Sequence, residues 1–269
     1  MPLLAAVCWN PATGRRPVQR FIPEDMAGHN RWTQIKRAKG AADAKRGKVF
    51  SKLARELIVA AKEGGGDPAH NARLRMVIMK CKAASLPADN IERAIAKATG
   101  GGEGVTFDQL TYEIFGPGGV ALLVEVSTDN RNRTAADVRH LATKHGGNIA
   151  TPGAVSRLFQ RRGQLIVARD RADEEILMGL AVEAGAEDFK ADENGYEILT
   201  DPANFEAVHQ QLERHQIPCE VAEVTQLPLT TVPVADAATA RALTELIDLL
   251  DDHDDVKSVA HNAELPPGD

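Results

Sequence analysis

Lys45, Lys48, Lys52 and Arg55 recur at steps of three and four residues within one short stretch. At 100° per residue they share one side of a helix with Lys62, while Phe50, Ala54, Leu57, Ile58 and Ala61 fall on the other. A row of like charges suits one chemistry above others: neutralising a phosphate backbone with release of its counterions. Such contacts give affinity without base readout. Arg46 lies in the same run, and Arg31, Lys36, Arg37 and Lys39 add charge upstream. Trp32 supplies a ring that either stacks on an unstacked base or ribose or anchors its segment to a hydrophobic bundle. Gly40 and Gly47 fit close backbone approach to phosphate equally with the ends of short helices. A second cationic pair, Arg131 and Arg133, stands in "TDNRNRT", where a strand meets a helix N-terminus. Backbone N–H groups there favour an anion, and Asp129 or Asn130 is placed to cap the helix. These cations and Trp32 are the candidate nucleic-acid-binding set.

Catalytic chemistry has little to stand on. His140 and His145 are five apart and His209 and His215 six apart, neither being the four-residue step of a helical metal pair. Asp251, Asp252, Asp254 and Asp255 lack the Gly and terminal Glu of a calcium loop and read as a solvated helix end. The "FGPGG" of residues 115–119 lacks the Gly-Lys-Ser/Thr ending of a phosphate loop and reads as a hairpin turn. No G-x-S-x-G or Cys/His signature occurs. The expectation is a protein that is not an enzyme, with no catalytic residue, metal, cofactor or small-molecule substrate.

Charge distribution points the same way. The chain carries a net −6, yet residues 26–98 hold 16 Lys and Arg against 6 Asp and Glu, and residues 99–269 hold 13 against 30. Such asymmetry marks a nucleic-acid or other anionic partner for the basic part. No stretch approaches the ~20 apolar residues of a membrane helix. Three scattered cysteines without C-x-x-C spacing argue for a reducing compartment, so no membrane is expected as partner and the cytoplasm is the expected location.

The elements that must position these residues follow from period. Residues 41–63 read as the basic amphipathic helix, stopped by Gly64-Gly65-Gly66. Asp67 and Pro68 read as the cap and first residue of a second helix with Leu74, Val77, Ile78 and Cys81 buried. A third helix runs to residue 98, and "GGGEG" at 100–104 reads as a linker. Strands are then expected at 110–115 and 120–127, a helix at 134–145, and a hairpin of strands 155–160 and 164–168 around Arg161-Arg162-Gly163. Strand 164–168, helix 172–184, strands 186–191 and 196–200 around Glu193-Asn194-Gly195, helix 202–215 and strand 219–224 give the ferredoxin-like β-α-β-β-α-β order. Its flanks, including strands 155–160 and 229–234, helix 236–251 and strand 256–261, read as a second unit split by the first. The fold class is α+β: a basic N-terminal helical domain plus two ferredoxin-like α+β domains, one inserted in the other. The expected boundaries are a disordered extension at 1–25 ahead of Met26, the basic domain at 26–99, a discontinuous domain at 105–160 and 226–262, and the insertion at 161–225.

Three stretches carry a resemblance: "MAGHNRWTQIKRAKGAADAKRGKVFSKLARE" and its continuation to residue 99, "YEIFGPGGVALLVEVSTDNRNRTAADVRH", and "LIDLLDDHDDVKSVAHN". The sequence resembles the YebC family from about Met26 to Asn262. The resemblance implies a helical N-terminal domain followed by two α+β domains, and a chain start at Met26. Proteins of that family are described as DNA-binding transcriptional regulators. Mitochondrial relatives resemble translational activators, and bacterial ones have been linked to ribosomes stalled on proline-rich stretches. The resemblance therefore implies a nucleic-acid partner, structured RNA or the ribosome on one reading and DNA on the other. Without an obvious base-reading helix-turn-helix or a dimer seam to fix half-site spacing, RNA is favoured.

Overall fold

The structure is a computed structural model, and it describes residues 46–100 and 106–265. The expected extension at 1–25, the linker at 101–104 and the candidates Arg31, Trp32, Lys36, Arg37, Lys39 and Lys45 lie outside these residues. The architecture is α+β, with helices first and two antiparallel sheets after them. Among the described residues no helix is long and apolar enough to cross a membrane.

The helical part comprises α1 (Arg46–Gly64), α2 (Ala72–Ala83) and α3 (Ala88–Thr99). Leu57, Ala60 and Ala61 of α1 are buried against Leu74, Val77 and Cys81 of α2 and Ile91 and Ala94 of α3. The apolar side of the basic helix is therefore used as its spacing predicts. The start of α2 differs from expectation. Asp67 only closes a turn, accepting the Ala69 N–H at 2.8 Å, and the helix begins after Asn71. The buried Asn71 side chain accepts the Leu74 N–H at 3.0 Å and donates to the carbonyls of Ala60 and Gly65 at 2.8 Å. One amide thus caps α2 and ties it to α1, which an exposed Asp67 cannot do.

The first sheet has the order β3-β1-β2-β9, from β1 (Asp108–Phe115), β2 (Ala121–Thr128), β3 (Asn148–Ile149) and β9 (Val256–His261). Helices α4 (Arg131–Lys144) and α7 (Ala237–Asp252) bury Val138, Ala142, Leu243, Leu246 and Leu250 on Leu122, Val124 and Val126 of β2. The second sheet, β5-β6-β4-β7, comprises β4 (Phe159–Ala168), β5 (Ala186–Ala191), β6 (Gly195–Thr200) and β7 (Val221–Pro228). With α5 (Glu174–Glu183) and α6 (Phe205–Arg214) it has the expected β-α-β-β-α-β order. This unit interrupts the chain between β3 and β9, so the first sheet is assembled from both sides of it.

Two expected strands have different places. Residues 155–160 and 164–168 do not form a hairpin: β4 runs unbroken through Arg161, Arg162 and Gly163, its first half paired with β7 alone and its second half also with β6. Strand 229–234 shrinks to β8 (Val232–Pro233), which pairs in parallel with β10 (Ala263–Glu264) outside both larger sheets. Beside β2 lies β1, joined to it by the hairpin turn expected at residues 115–119. Residues 160 and 225, where domain boundaries were expected, fall inside β4 and β7, and Phe159 at the start of β4 packs with Ala121, Leu123 and Val155 of the first unit.

Gly163 is required by proximity and not by a turn. A Cβ placed there would lie 2.2 Å from Thr200 Oγ1 and 2.8 Å from the Phe205 ring. Gly163→Ala is accordingly expected to cost ~1–3 kcal/mol through overpacking, read as a lower urea midpoint with an unchanged slope. An unchanged midpoint would show that Thr200 and Phe205 yield without strain.

Candidate nucleic-acid interface

The cationic side of α1 does not face open solvent throughout. It meets the end of α7 and the turn into β9, where a helix terminus with unsatisfied carbonyls is followed by Asp254 and Asp255. Lys48 Nζ lies 2.7 Å from Asp252 Oδ2 and 3.4 Å from the Asp252 carbonyl oxygen. Lys52 donates to the Asp251 carbonyl and lies 3.7 Å from its carboxylate. Arg55 donates to the carbonyls of Asp254 and Ser127 at 2.7 and 3.1 Å and to Asp255 Oδ1 at 3.0 Å. Its guanidinium also lies 5.1 Å from the Phe107 ring centroid. Cations at a helix C-terminus satisfy orphan carbonyls and the negative end of the helix dipole together.

Asp255 is the centre of this contact, only 4% exposed. Besides Arg55 it accepts from Arg133 at 2.8 Å, Thr134 Oγ1 at 2.7 Å and Thr128 Oγ1 at 3.2 Å. Burial alone would raise its pKa, but the Arg133 and Thr134 hydrogen bonds, the Arg133 charge and the Thr128 hydroxyl outweigh it and hold the carboxyl below its usual range. Arg133 is stabilised as a cation in return, first by its hydrogen bond to Asp255 and then by Asp129. Lys52 is pushed the other way: burial lowers its pKa, and the attraction of Asp251 and Asp252 only partly restores it.

Of the candidates, the structure therefore brings Lys48, Lys52, Arg55 and Arg133 to one seam, although Arg133 is remote in sequence. Arg46 opens α1. Arg131 points elsewhere, pairing with Asp108 at 2.9 Å while 61% exposed. The cap of α4 is Asn130, which accepts the Arg133 N–H at 3.1 Å. The "FGPGG" stretch is the β1–β2 turn, closed by Gly116 N–H to the Val120 carbonyl at 2.8 Å, with Gly118 and Gly119 at positive φ. Among the described residues no three His, Cys, Asp or Glu converge as a metal site.

Sequence reasoning missed the acidic partners. Residues 251–255, taken for a solvated helix end, are the intramolecular counter-charge of α1. The available signal was the charge asymmetry itself, since a basic segment and an acidic remainder in one chain are candidates for each other. Two further ties were also unread. Lys257 pairs with Glu56 of α1 at 3.2 Å and Glu125 of β2 at 3.6 Å. Arg75 of α2 grips Glu206 of α6 through two hydrogen bonds of 2.7 and 2.9 Å, beside Met76 and Met79, which pack on the core of the inserted unit.

Comparison with known proteins gives two matching family models: "TACO1/YebC protein N-terminal domain" over residues 30–101 and "TACO1/YebC second and third domain" over residues 107–263. A "probable transcriptional regulatory protein" of Desulfitobacterium hafniense is 48% identical over 242 residues, covering 89% of this chain and 96% of the relative. One of the same description from Persephonella marina is 50% identical over 241 residues, covering 89% and 96%. The crystal structure of a conserved hypothetical protein from Aquifex aeolicus superposes with a TM-score of 0.75 at 46% identity, covering 84% of this chain and 93% of that one.

Proposed function

The chain belongs to the TACO1/YebC family, and on that premise we propose that it is a non-enzymatic regulator of gene expression that acts by binding nucleic acid, with structured RNA on the ribosome as its target. The carrying observation is the segregation of charge: 16 Lys and Arg against 6 Asp and Glu over residues 26–98 in a chain of net −6. A phosphate backbone is the partner such a segment suits. Arg31, Trp32, Lys36, Arg37, Lys39, Lys45 and Arg46 supply the first contacts, continued by Lys48, Lys52 and Arg55 with Arg133 alongside, and Arg131 adds a separate contact. On this reading the protein acts during translation, and relief of stalled ribosomes is one form that action takes. A second reading, a DNA-binding transcriptional regulator, is favoured by the description of the bacterial relatives. RNA is preferred because a Lys-rich basic segment broken by Gly40 and Gly47, with Trp32 in it, suits unstacked and structured strands. The sequence shows no obvious base-reading helix-turn-helix and no dimer seam that would fix a half-site spacing.

The test is a salt titration of wild type and a Lys36→Gln/Arg37→Gln/Lys39→Gln variant on an RNA stem–loop and on duplex DNA. For every phosphate released from the interface, the plot of log affinity against log salt is expected to flatten by ~0.7–0.9, with RNA bound more tightly than DNA throughout. Equal slopes for both proteins on both ligands would remove these residues from the interface. A change confined to duplex DNA would favour transcription.

A further inference from the structure

We propose that the seam between α1 and the end of α7 is a latch: Asp251 and Asp252 occupy Lys52 and Lys48 of α1 in place of phosphates, and nucleic acid engages that side by displacing these two residues while Asp255 holds the inner end. The inference rests on the nucleic-acid reading above and adds how the site is regulated.

The oxygens that meet α1 resemble a short anionic strand. Asp251 and Asp252 each present a carboxylate and a carbonyl oxygen to Lys52 and Lys48, Asp254 presents a carbonyl to Arg55, and Asp255 presents a carboxylate. Phosphodiester oxygens offer the same cations the same kind of acceptor, at higher charge density and with counterion release.

The contacts are graded in a way that suits exchange. At the outer end each pair has one exposed member, Lys48 at 49% with Asp252 at 31% and Asp251 at 64% with Lys52 at 19%, and ion pairs that water reaches on one side hold weakly. At the inner end Asp255 is buried and held by two hydroxyls and two guanidiniums, so it stays in place as the outer pairs open. Open space flanks the seam: a cleft of about 240 Å3 reaches Lys52, Glu56 and Lys80 on one side, and one of about 500 Å3 reaches Lys48, Arg133 and Asp137 on the other. The apolar side of α1 is committed to α2 and α3, so opening the outer pairs leaves the helical core intact. A closed latch lowers the apparent affinity by the fraction of molecules that are open.

Binding of a labelled RNA stem–loop and of a labelled DNA duplex is measured from low to high salt for wild type and three variants of the full chain: Asp251→Asn/Asp252→Asn, Lys48→Gln/Lys52→Gln, and a control, Glu175→Gln/Glu183→Gln, that removes equal charge from α5. Thermal melting verifies that each is folded. The Asp251→Asn/Asp252→Asn variant is expected to bind roughly five-fold more tightly at low salt, the size two partly exposed pairs support. The gain should fade towards about 1 M salt, where charges are screened within about 3 Å, and the control should gain little. Lys48→Gln/Lys52→Gln should bind more weakly than wild type. Equal gains in both acidic variants would overturn the latch and leave the nucleic-acid reading standing, since general repulsion explains them. Weaker binding by Asp251→Asn/Asp252→Asn would also overturn it, assigning the run a supporting role. Failure of every protein to bind RNA or DNA would overturn the underlying reading and the latch with it.

Discussion

Replacing Asp255 by Ala is expected to destabilise the fold by ~3–5 kcal/mol, the range seen when one partner of a buried charge pair is removed. The cost lies in what is left behind. Arg55 and Arg133 lose their shared counter-ion, and the hydroxyls of Thr128 and Thr134 lose an acceptor in a buried place. Asp255→Asn keeps the shape and part of the hydrogen bonding, so it should cost less. The two variants also differ from wild type in acid. The folded protein holds this carboxyl below its ordinary value of about 3.9. The stability it contributes is therefore complete above the unfolded pKa and is lost as pH falls through the folded one. Wild type should lose this stability below about pH 4, whereas Asp255→Asn, with no proton to take up there, should show a flatter acid limb. Glu113 adds a second loss in the same window. Burial opposes its ionisation, but the N–H groups of Gly153, Ser156 and Val155 hold its pKa down, so the comparison must be made between variants and not on wild type alone. Urea denaturation at pH 7 and pH 3 reads both effects. A loss under ~1 kcal/mol for Asp255→Ala at pH 7 would mean that both guanidiniums rehydrate freely and the seam has no buried anchor.

What the sequence made legible was mostly what one period or one short signal decides. The apolar side of α1 was visible because Leu57 and Ala61 repeat at helical spacing, and they are buried as that spacing requires. The inserted unit was visible because its strands and helices alternate in a known order. Even there a correct feature had a different cause. The β5–β6 turn at Asn194-Gly195 is held by Asp192 Oδ1, which accepts the N–H groups of Asn194 and Gly195 at 2.7 and 2.9 Å, and neither residue has positive φ. What was not legible depends on contacts distant in sequence. Arg161, Arg162 and Gly163 look like a turn because two charges and a glycine interrupt an apolar run. In space Arg162 pairs with Glu187 and Gly163 clears Thr200 and Phe205. The partner of α1 was invisible for the same reason: some 200 residues separate Arg55 from Asp255, and no local pattern reports that distance. Lys48, Lys52 and Arg55 do share one side of a helix as their spacing suggested; that these three, Arg133 and Arg131 meet the chain's own acids was not legible.

Leu57→Ala is the complementary expectation, a loss of ~2–5 kcal/mol without direct effect on the cationic side. Leu57 is fully buried among Ala60, Leu74 and Val77, and truncation leaves a cavity that neighbouring backbones can close only in part. The helical part is short, so one large side chain is a substantial share of its core. Its anchorage determines how the loss appears. One side of it is tied to the first α+β unit through Lys48, Lys52 and Arg55, and the other to the inserted unit through Arg75, Met76 and Met79. If these ties couple it to the rest of the chain, Leu57→Ala should lower a single cooperative urea transition at unchanged slope. If they do not, an early, smaller transition should separate from the main one. At temperatures where the variant remains folded, its affinity for an RNA stem–loop should stay within about two-fold of wild type, since every cation proposed to meet phosphate is kept. A stability loss under ~1 kcal/mol would contradict the burial of this side of α1. Collapse of RNA affinity in a fully folded variant would mean that the apolar and cationic sides of the helix are not separable, and the assignment of gripping to one and anchoring to the other would fall.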